Sequence, residues 1–381
     1  MKKLLLLLVL SVLAISCTTY ETPPTVYPNK PPEVVKGIKG VWVTNVASTA
    51  LNSLANIKET VQICKKSAMT DIYVVVWNKG RTIYPSDIMN KEFGIPIMES
   101  FAGRDPLLEM ITEAHKEKIK VHAWFEYGFS SSNTNIPGAD VILDKYPAWA
   151  ARDVSKAILV SGGGFKWMNG INPDVQNFMK SLVLEVVKKY DIDGVQGDDR
   201  LPAMPVKGGY DDYTVQLYKT ENAGVAPPAN EKDSNWINWR TNKLTEFLGV
   251  LYKAVKAEKP KVIVSSAPSI APWAKENYLQ DWPTWLDKKY CDYVIPQVYR
   301  YDIGAYEATL KSQIALIKNS SDRSKFYSGV LIQSGTWNSS NQYVEQMVNL
   351  NRANGVGGEV FFFYEGLKFN ADYFTKIYPN K

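Results

Sequence analysis

The chain of 381 residues is 45% hydrophobic and 22% charged, an ordinary globular balance with room for one large domain or two medium ones. Its net charge of +5 comes from 44 Lys and Arg against 39 Asp and Glu, and setting aside Lys2 and Lys3 of a leader leaves +3. With no dense basic stripe either, no nucleic-acid partner is expected. Aromatic residues reach 12%, with 11 Trp, which suits a sugar-binding surface or a large aromatic core equally well.

Residues 1–16 have a basic start, an apolar run of signal-peptide length and small residues before Cys17. The run is short for a spanning helix. The segment resembles a bacterial lipoprotein signal, although "AISC" is a loose version with Ala14 where Leu is usual. That resemblance implies lipidation at Cys17, with Thr18, not Asp, after it favouring the outer membrane. Residues 17–36, "CTTYETPPTVYPNKPPEVVK", are rich in Pro and Thr and read as an extended tether. Residues 37–381 are then the folded domain, expected as a lipid-anchored monomer in the cell envelope.

From residue 40 short strand-like runs alternate with helical patterns. The expected strands are 40–45, 71–77, 120–128, 194–199, 262–268, 293–299, 326–333 and 359–365, each rich in β-branched or aromatic residues. Between them, residues 53–67, 105–118, 172–190, 236–260 and 303–319 carry apolar residues at helical spacing. Pro106 and Pro173 follow Asp105 and Asn172, the arrangement of a first helical position after a cap. Eight strands with intervening helices and no break in composition read as a single (β/α)8 TIM barrel. An open doubly wound sheet is less favoured, because no Gly-rich fingerprint follows the first strand. Connections 129–172 and 200–235 are long and follow strands three and four, on the face where such a barrel keeps its active site.

Cys64 and Cys291 sit in apolar contexts and read as buried free thiols. His115 and His122 are the only histidines, which rules out a histidine-rich metal site and makes His122 the one candidate for a hydrolase triad. No cofactor is expected. A metal role for Asp198 and Asp199 lacks a supporting spaced carboxylate motif.

Strand ends select the chemistry. Alternation puts His122, Trp124 and Glu126 on one face, Gln196 and Asp198 on another, Gln297 with Tyr299, and Phe361, Phe363 and Glu365 together. Glu126, Asp198 and Glu365 are therefore the catalytic candidates. Glycoside hydrolysis needs two carboxyl groups flanking the scissile bond, one to protonate the leaving oxygen and one to attack or activate water. Adjacent Asp198 and Asp199 cannot be that pair, so Asp198 is taken as nucleophile or base and Asp199 as support to Arg200 or a sugar hydroxyl. Glu126 or Glu365 would be the acid, raised by burial among Trp124, Phe363 and Tyr364, and facing Asp198 at roughly 5–10 Å. Trp77, Asn78, Asp281, Trp282, Gln297, Tyr299, His122, Trp124, Gln196 and Arg200 are further candidate sugar contacts.

The stretches "GVWVTNVAS", "YVVVWNKGRTIYPS", "VHAWFEYGF", "YPAWAARD", "WMNGINPDVQNF", "YDIDGVQGDDR", "YLQDW", "PQVYRYD" and "GEVFFFYEGL" run in order over nearly all of 38–370. In them the chain resembles the bacterial glycosyl-hydrolase-like family ten, envelope-associated (β/α)8 proteins. The resemblance implies a glycosidase acting on an envelope or imported polysaccharide, with the peptidoglycan glycan strand as a candidate. The family's strand-four motif reads like "QFDDH"; this chain has "QGDDR", with Gly197 and Arg200 at the departing positions. That departure keeps a second expectation open, a glycan-binding lipoprotein on the same barrel without chemistry.

Overall fold

The computed structural model describes residues 37–135 and 140–378. The expected leader, Cys17 and the tether to residue 36 lie outside the described residues. Eight strands form one parallel sheet: β1 (Lys39–Val43), β2 (Asp71–Val75), β3 (Lys120–Phe125), β4 (Gly194–Gly197), β5 (Ile263–Ser266), β6 (Tyr293–Val294), β7 (Ser328–Leu331) and β8 (Glu359–Phe362). The hydrogen-bonded order runs from β6 back to β1, then to β8 and β7. Parallel bridges Val294–Phe326 and Gln297–Gly329 join β6 to β7 and close the ring. The fold is thus the (β/α)8 barrel expected from the strand rhythm.

Each strand is followed by a helix: α1 (Leu54–Lys66), α2 (Pro106–Lys116), α3 (Pro173–Lys189), α4 (Ser234–Glu258), α5 (Trp282–Asp287), α6 (Ile303–Ala315), α7 (Asn341–Ala353) and α8 (Tyr364–Ile377). Their starts are written in the sequence. Ser53, Asp105, Asn172, Asp233, Asp302 and Ser340 each accept a backbone N–H of the first turn, at about 1 kcal/mol per cap. Helices α5, α7 and α8 go beyond the expected set. The polar, Asn-rich α7 still buries Tyr343, Val344, Met347 and Val348. At α8 the aromatic run conceals the change from strand to helix.

Alternation fills the barrel with ring and amide contacts. Low in the interior, the His122 ring stacks on Tyr73 at 4.5 Å, its Nε2 lies 2.8 Å from Asp71 Oδ1, and Tyr73 meets Tyr293 hydroxyl to hydroxyl at 2.9 Å. Above them Trp42 Nε1 donates to Gln196 Oε1 (2.7 Å), and Gln196 Nε2 donates to Ser265 Oγ (3.1 Å). These contacts correct several expected sugar contacts. His122, Trp124 and Gln196 are buried barrel filling; Trp77, bonded through Nε1 to the Gly128 carbonyl (2.9 Å) and packed on Phe178 of α3, and Trp282, the first residue of α5, packed on Phe326, are buried among the surrounding helices and loops. A ring enclosed on all sides has no face left for a sugar.

The parity expected for the eighth strand is also corrected. Phe361 faces outward onto Phe374 (4.9 Å), while Phe362 faces inward, towards Trp42 and Tyr299. The strand ends at Phe362, so Glu365 lies in the first turn of α8, where its Oε1 accepts from Ser48 Oγ at 2.6 Å. Cys64 and Cys291 are buried, separate thiols.

Neither long connection is structureless. Segment 129–172 carries a three-stranded antiparallel sheet (Ser130–Asn133, Val160–Ser161, Phe165–Trp167), and 200–233 carries the helix Asp212–Glu221.

Candidate active site

β3 and β4 run side by side with Trp124 opposite Gln196 and Phe125 opposite Gly197. Paired strands are about 4.8 Å apart, so one residue further up Glu126 and Asp198 leave the sheet as neighbours.

Glu126 is half-buried. Its Oε2 accepts from Asn78 Nδ2 (2.8 Å) and from Thr44 Oγ1 (3.1 Å). The Thr44 hydroxyl itself accepts the Val46 N–H (3.1 Å), which turns its own hydrogen to Glu126. Asn78 also donates to Asn45 Oδ1 (3.0 Å). The candidate contact Asn78 thus holds a carboxyl from beneath. Burial, above all, pushes the Glu126 carboxyl up, with Arg200 and the two donors pulling it down and Asp199 adding to the rise.

Asp198 is only 2% exposed. Its Oδ1 accepts the Arg200 backbone N–H (2.9 Å), and its Oδ2 lies 3.1 Å from Arg200 Nη1. The same nitrogen is 3.0 Å from Asp199 Oδ1 and 3.0 Å from the Glu126 carbonyl. Two hydrogens shared among three oxygens bind 126, 198 and 199 into one cluster. The guanidinium lies against the rings of Phe165 (4.7 Å) and Tyr127 (5.5 Å), which pack edge-to-face on each other at 5.2 Å. Burial raises the Asp198 carboxyl well above its usual range, Asp199 adds to the rise, and Arg200 opposes it. Asp199 is the more open of the two carboxyls, with 28% of its side chain exposed. It faces Tyr299 and Tyr278, whose phenols are pushed up by burial first and then by Asp199.

Backbone shape is part of the cluster. A Cβ on Gly197 would come within 2.2 Å of the Leu201 carbonyl, so the turn after β4 closes against the strand only without a side chain. Gly128, at φ +46°, would bring a Cβ within 2.3 Å of the Arg200 carbonyl. That carbonyl accepts the Phe129 N–H at 3.0 Å, sewing the two long loops together beside the carboxyls.

Of the candidates, Glu126, Asn78, Asp198, Asp199, Arg200 and Tyr299 come together. Gln297 lies half-buried near them, its amide donating to the Ala267 carbonyl (3.0 Å). Asp281 is paired with Lys275 (3.0 Å) at the start of α5, and its expected place among the sugar contacts is not supported. Arg200 is corrected from sugar contact to internal clamp. Thr44, Gln280, Phe165 and Tyr278 were not anticipated. Thr44 shares the parity of Trp42 and could have been found. Gln280, whose amide donates to the Asp198 carbonyl (2.9 Å), carries no local signal.

A family model described as glycosyl hydrolase-like 10 matches residues 37–342. The chain is similar to the glycosyl hydrolase DigH of Escherichia coli strain K12, 26% identical and covering 79% of this chain and 77% of that one. It is similar to the glycosyl hydrolase YngK of Bacillus subtilis strain 168, 25% identical over 70% of this chain and 54% of the relative. In fold it is similar to the solved glycoside hydrolase domain of PgaB (BpsB) from Bordetella bronchiseptica, with TM-score 0.68 and 14% identity, covering 91% of this chain and 99% of that domain.

Proposed function

The chain belongs to the glycosyl hydrolase-like 10 family, and from that premise we propose that it hydrolyses glycosidic bonds, with Glu126 as proton donor and the Asp198–Asp199 pair as the opposing charge. The observation that carries this is the bonding of Glu126. Both of its hydrogen bonds fall on Oε2, so the proton of the neutral acid belongs on Oε1, the oxygen left for a substrate. Burial keeps that proton bound to a higher pH than an ordinary glutamate would.

In the proposed reaction the glycosidic oxygen takes the Glu126 proton as its bond to the anomeric carbon breaks. Negative charge at the pair stabilises the positive charge developing on the sugar, and water supplies the hydroxyl that ends on the anomeric carbon. Asp199 is the member open enough to face that carbon; Asp198, with both oxygens engaged by Arg200, fixes the guanidinium. The substrate class we infer is a polysaccharide of the cell envelope or one imported through it, the peptidoglycan glycan strand included. The leader of residues 1–16 before Cys17 supports that setting, with a lipid anchor and an outer-membrane location. A Cys17→Ala variant should lose labelled palmitate and leave the membrane fraction.

Product analysis on peptidoglycan sacculi and a panel of defined glycans tests the chemistry. Glu126→Gln should lower cleavage by about 10²–10⁴-fold, the usual worth of a general acid, while keeping glycan binding. Unchanged cleavage removes Glu126 from the reaction. A second reading, a barrel that binds glycan without cutting it, draws on Arg200, which occupies both oxygens of Asp198. Wild-type protein that binds a panel member and releases no product would establish it.

A further inference from the structure

Beside the carboxyl cluster lies a cavity of about 260 Å³, walled by the hairpin after β3, the segment after β4 and the short helix Trp273–Tyr278 after β5. We propose that this cavity is a sugar-binding subsite, in which one pyranose ring of a longer chain stacks on Trp273 while the scissile bond lies at Glu126 and Asp199. The proposal rests on the glycosidase reading of those carboxyls and adds where the chain extends beyond them.

Three observations carry it. Trp273 is 46% exposed, in a chain whose Trp42, Trp77, Trp167, Trp236, Trp282 and Trp285 are fully buried. An indole left in water forgoes the burial gain its size would bring, and a sugar ring's C–H face is a partner that recovers part of it.

Next, Trp273 is tied to the candidate site through one neighbour. Its ring packs on Tyr278 (5.5 Å), which packs on the buried Trp167 (6.0 Å). The Tyr278 phenol lies within the electrostatic reach of Asp199 and Arg200. A file of groups therefore leads from Asp199 past Tyr278 to Trp273.

Finally, the walls are rigid and offer hydroxyl-matching groups. The Met204 and Val206 N–H groups donate to the carbonyls of Tyr278 (3.1 Å) and Asn277 (2.8 Å), fixing the β4 segment to the helix. Asn277 Nδ2 donates to the Trp273 carbonyl (3.0 Å), which leaves its Oδ1 as an acceptor. Ser161 Oγ accepts from Trp167 Nε1 (2.8 Å) and gives its own hydrogen to the Tyr278 hydroxyl, which leaves the phenol hydrogen to donate. One aromatic platform with an acceptor and a donor beside it matches a ring that is apolar on its face and hydroxylated at its rim. Lys207 is the sole charged residue of the lining, so stacking and not charge should carry the affinity.

The test is calorimetric titration of the full chain, in the Glu126→Gln background, with the β-1,4-linked hexaose of N-acetylglucosamine, the β-1,4-linked hexaose of glucose, and the matching disaccharides. Trp273→Ala should weaken binding of the better hexaose about tenfold and leave disaccharide binding unchanged. Trp273→Phe should retain most of the affinity, and raising salt from 0.1 to 0.5 M should change it less than twofold. Hexaose binding that is equal in Trp273→Ala and its parent overturns the subsite, as does a steep salt dependence or failure of both hexaoses to bind. Failure of the underlying reading shows separately, as cleavage of the bound hexaose by the Glu126→Gln protein.

Discussion

Glu126 and Glu359 are both carboxyls that burial has made better bases, and they stand on opposite faces of the barrel wall. In the role proposed for Glu126 the consequence is kinetic. A general acid works in its protonated form, so kcat/KM should fall as pH rises through a midpoint above the ordinary glutamate value. Asn78→Ala removes a donor that favours the ionised form, so the midpoint of that descending limb should move upward. A pH–rate profile of the two proteins reads this directly. At Glu359, 1% exposed, the consequence is thermodynamic. Burial pushes it up to about 7 from 4.5, with the Asn351 amide (3.1 Å) and the Tyr378 hydroxyl as partners. The folded state therefore holds a proton that the unfolded chain gives up near pH 4.5. Stability from this group is complete below that pH, declines as pH rises towards 7, and is then lost, in all about 3 kcal/mol. Glu359→Gln should flatten the decline between pH 4.5 and 7 in urea unfolding and be the more stable protein at pH 8.

Among the elements, the loop after β4 depends on one cation. Arg240 of α4 is fully buried and donates to the carbonyls of Gly208 (2.5 Å), Glu231 (2.6 Å), Trp236 (3.3 Å) and Val206. Desolvation depresses it to about 9. Arg240→Met leaves those carbonyls without donors, so stability should drop by about 2–4 kcal/mol and segment 200–233 should become the first site of limited proteolysis. Element by element, the sequence was uneven as a guide. The β3 run "KVHAWFEYG" alternates clearly, and Glu126 followed from it. The β8 run "EVFFFYE" has three consecutive phenylalanines, so its parity cannot be read from polarity, and a one-residue slip turned Glu365 from a barrel-mouth acid into a residue of α8. Ser130–Asn133 is a strand made of three serines and an asparagine, poor β-formers held by tertiary pairing with Phe165–Trp167. The clamp of Arg200 was illegible for a related reason. Its contacts come from residues far apart in sequence, Phe165 and Glu126 among them, and no local pattern announces them.

For the molecule as a whole, the rhythm of eight strands was legible because parallel strands buried on both faces must be apolar, and the long loops marked the end of the barrel where the carboxyl cluster sits. One feature of the barrel bears on how it moves. β3 and β4, which carry the carboxyls, are joined through four residue pairs, whereas β6 and β7 meet only at two isolated bridges. Pro296, inside the expected sixth strand, has no N–H to give, so the seam rests on the bonds of Tyr327 to Val294 (3.0 Å), Gly329 to Pro296 (2.9 Å) and Val298 to Gly329 (3.0 Å). In deuterated solvent the amides of 298, 327 and 329 should exchange well before those of 122–125 and 194–197, as a cooperative opening of lower free energy. The cylinder would then breathe like a split ring, spreading at its joint while the arc that holds the carboxyl cluster keeps its curvature.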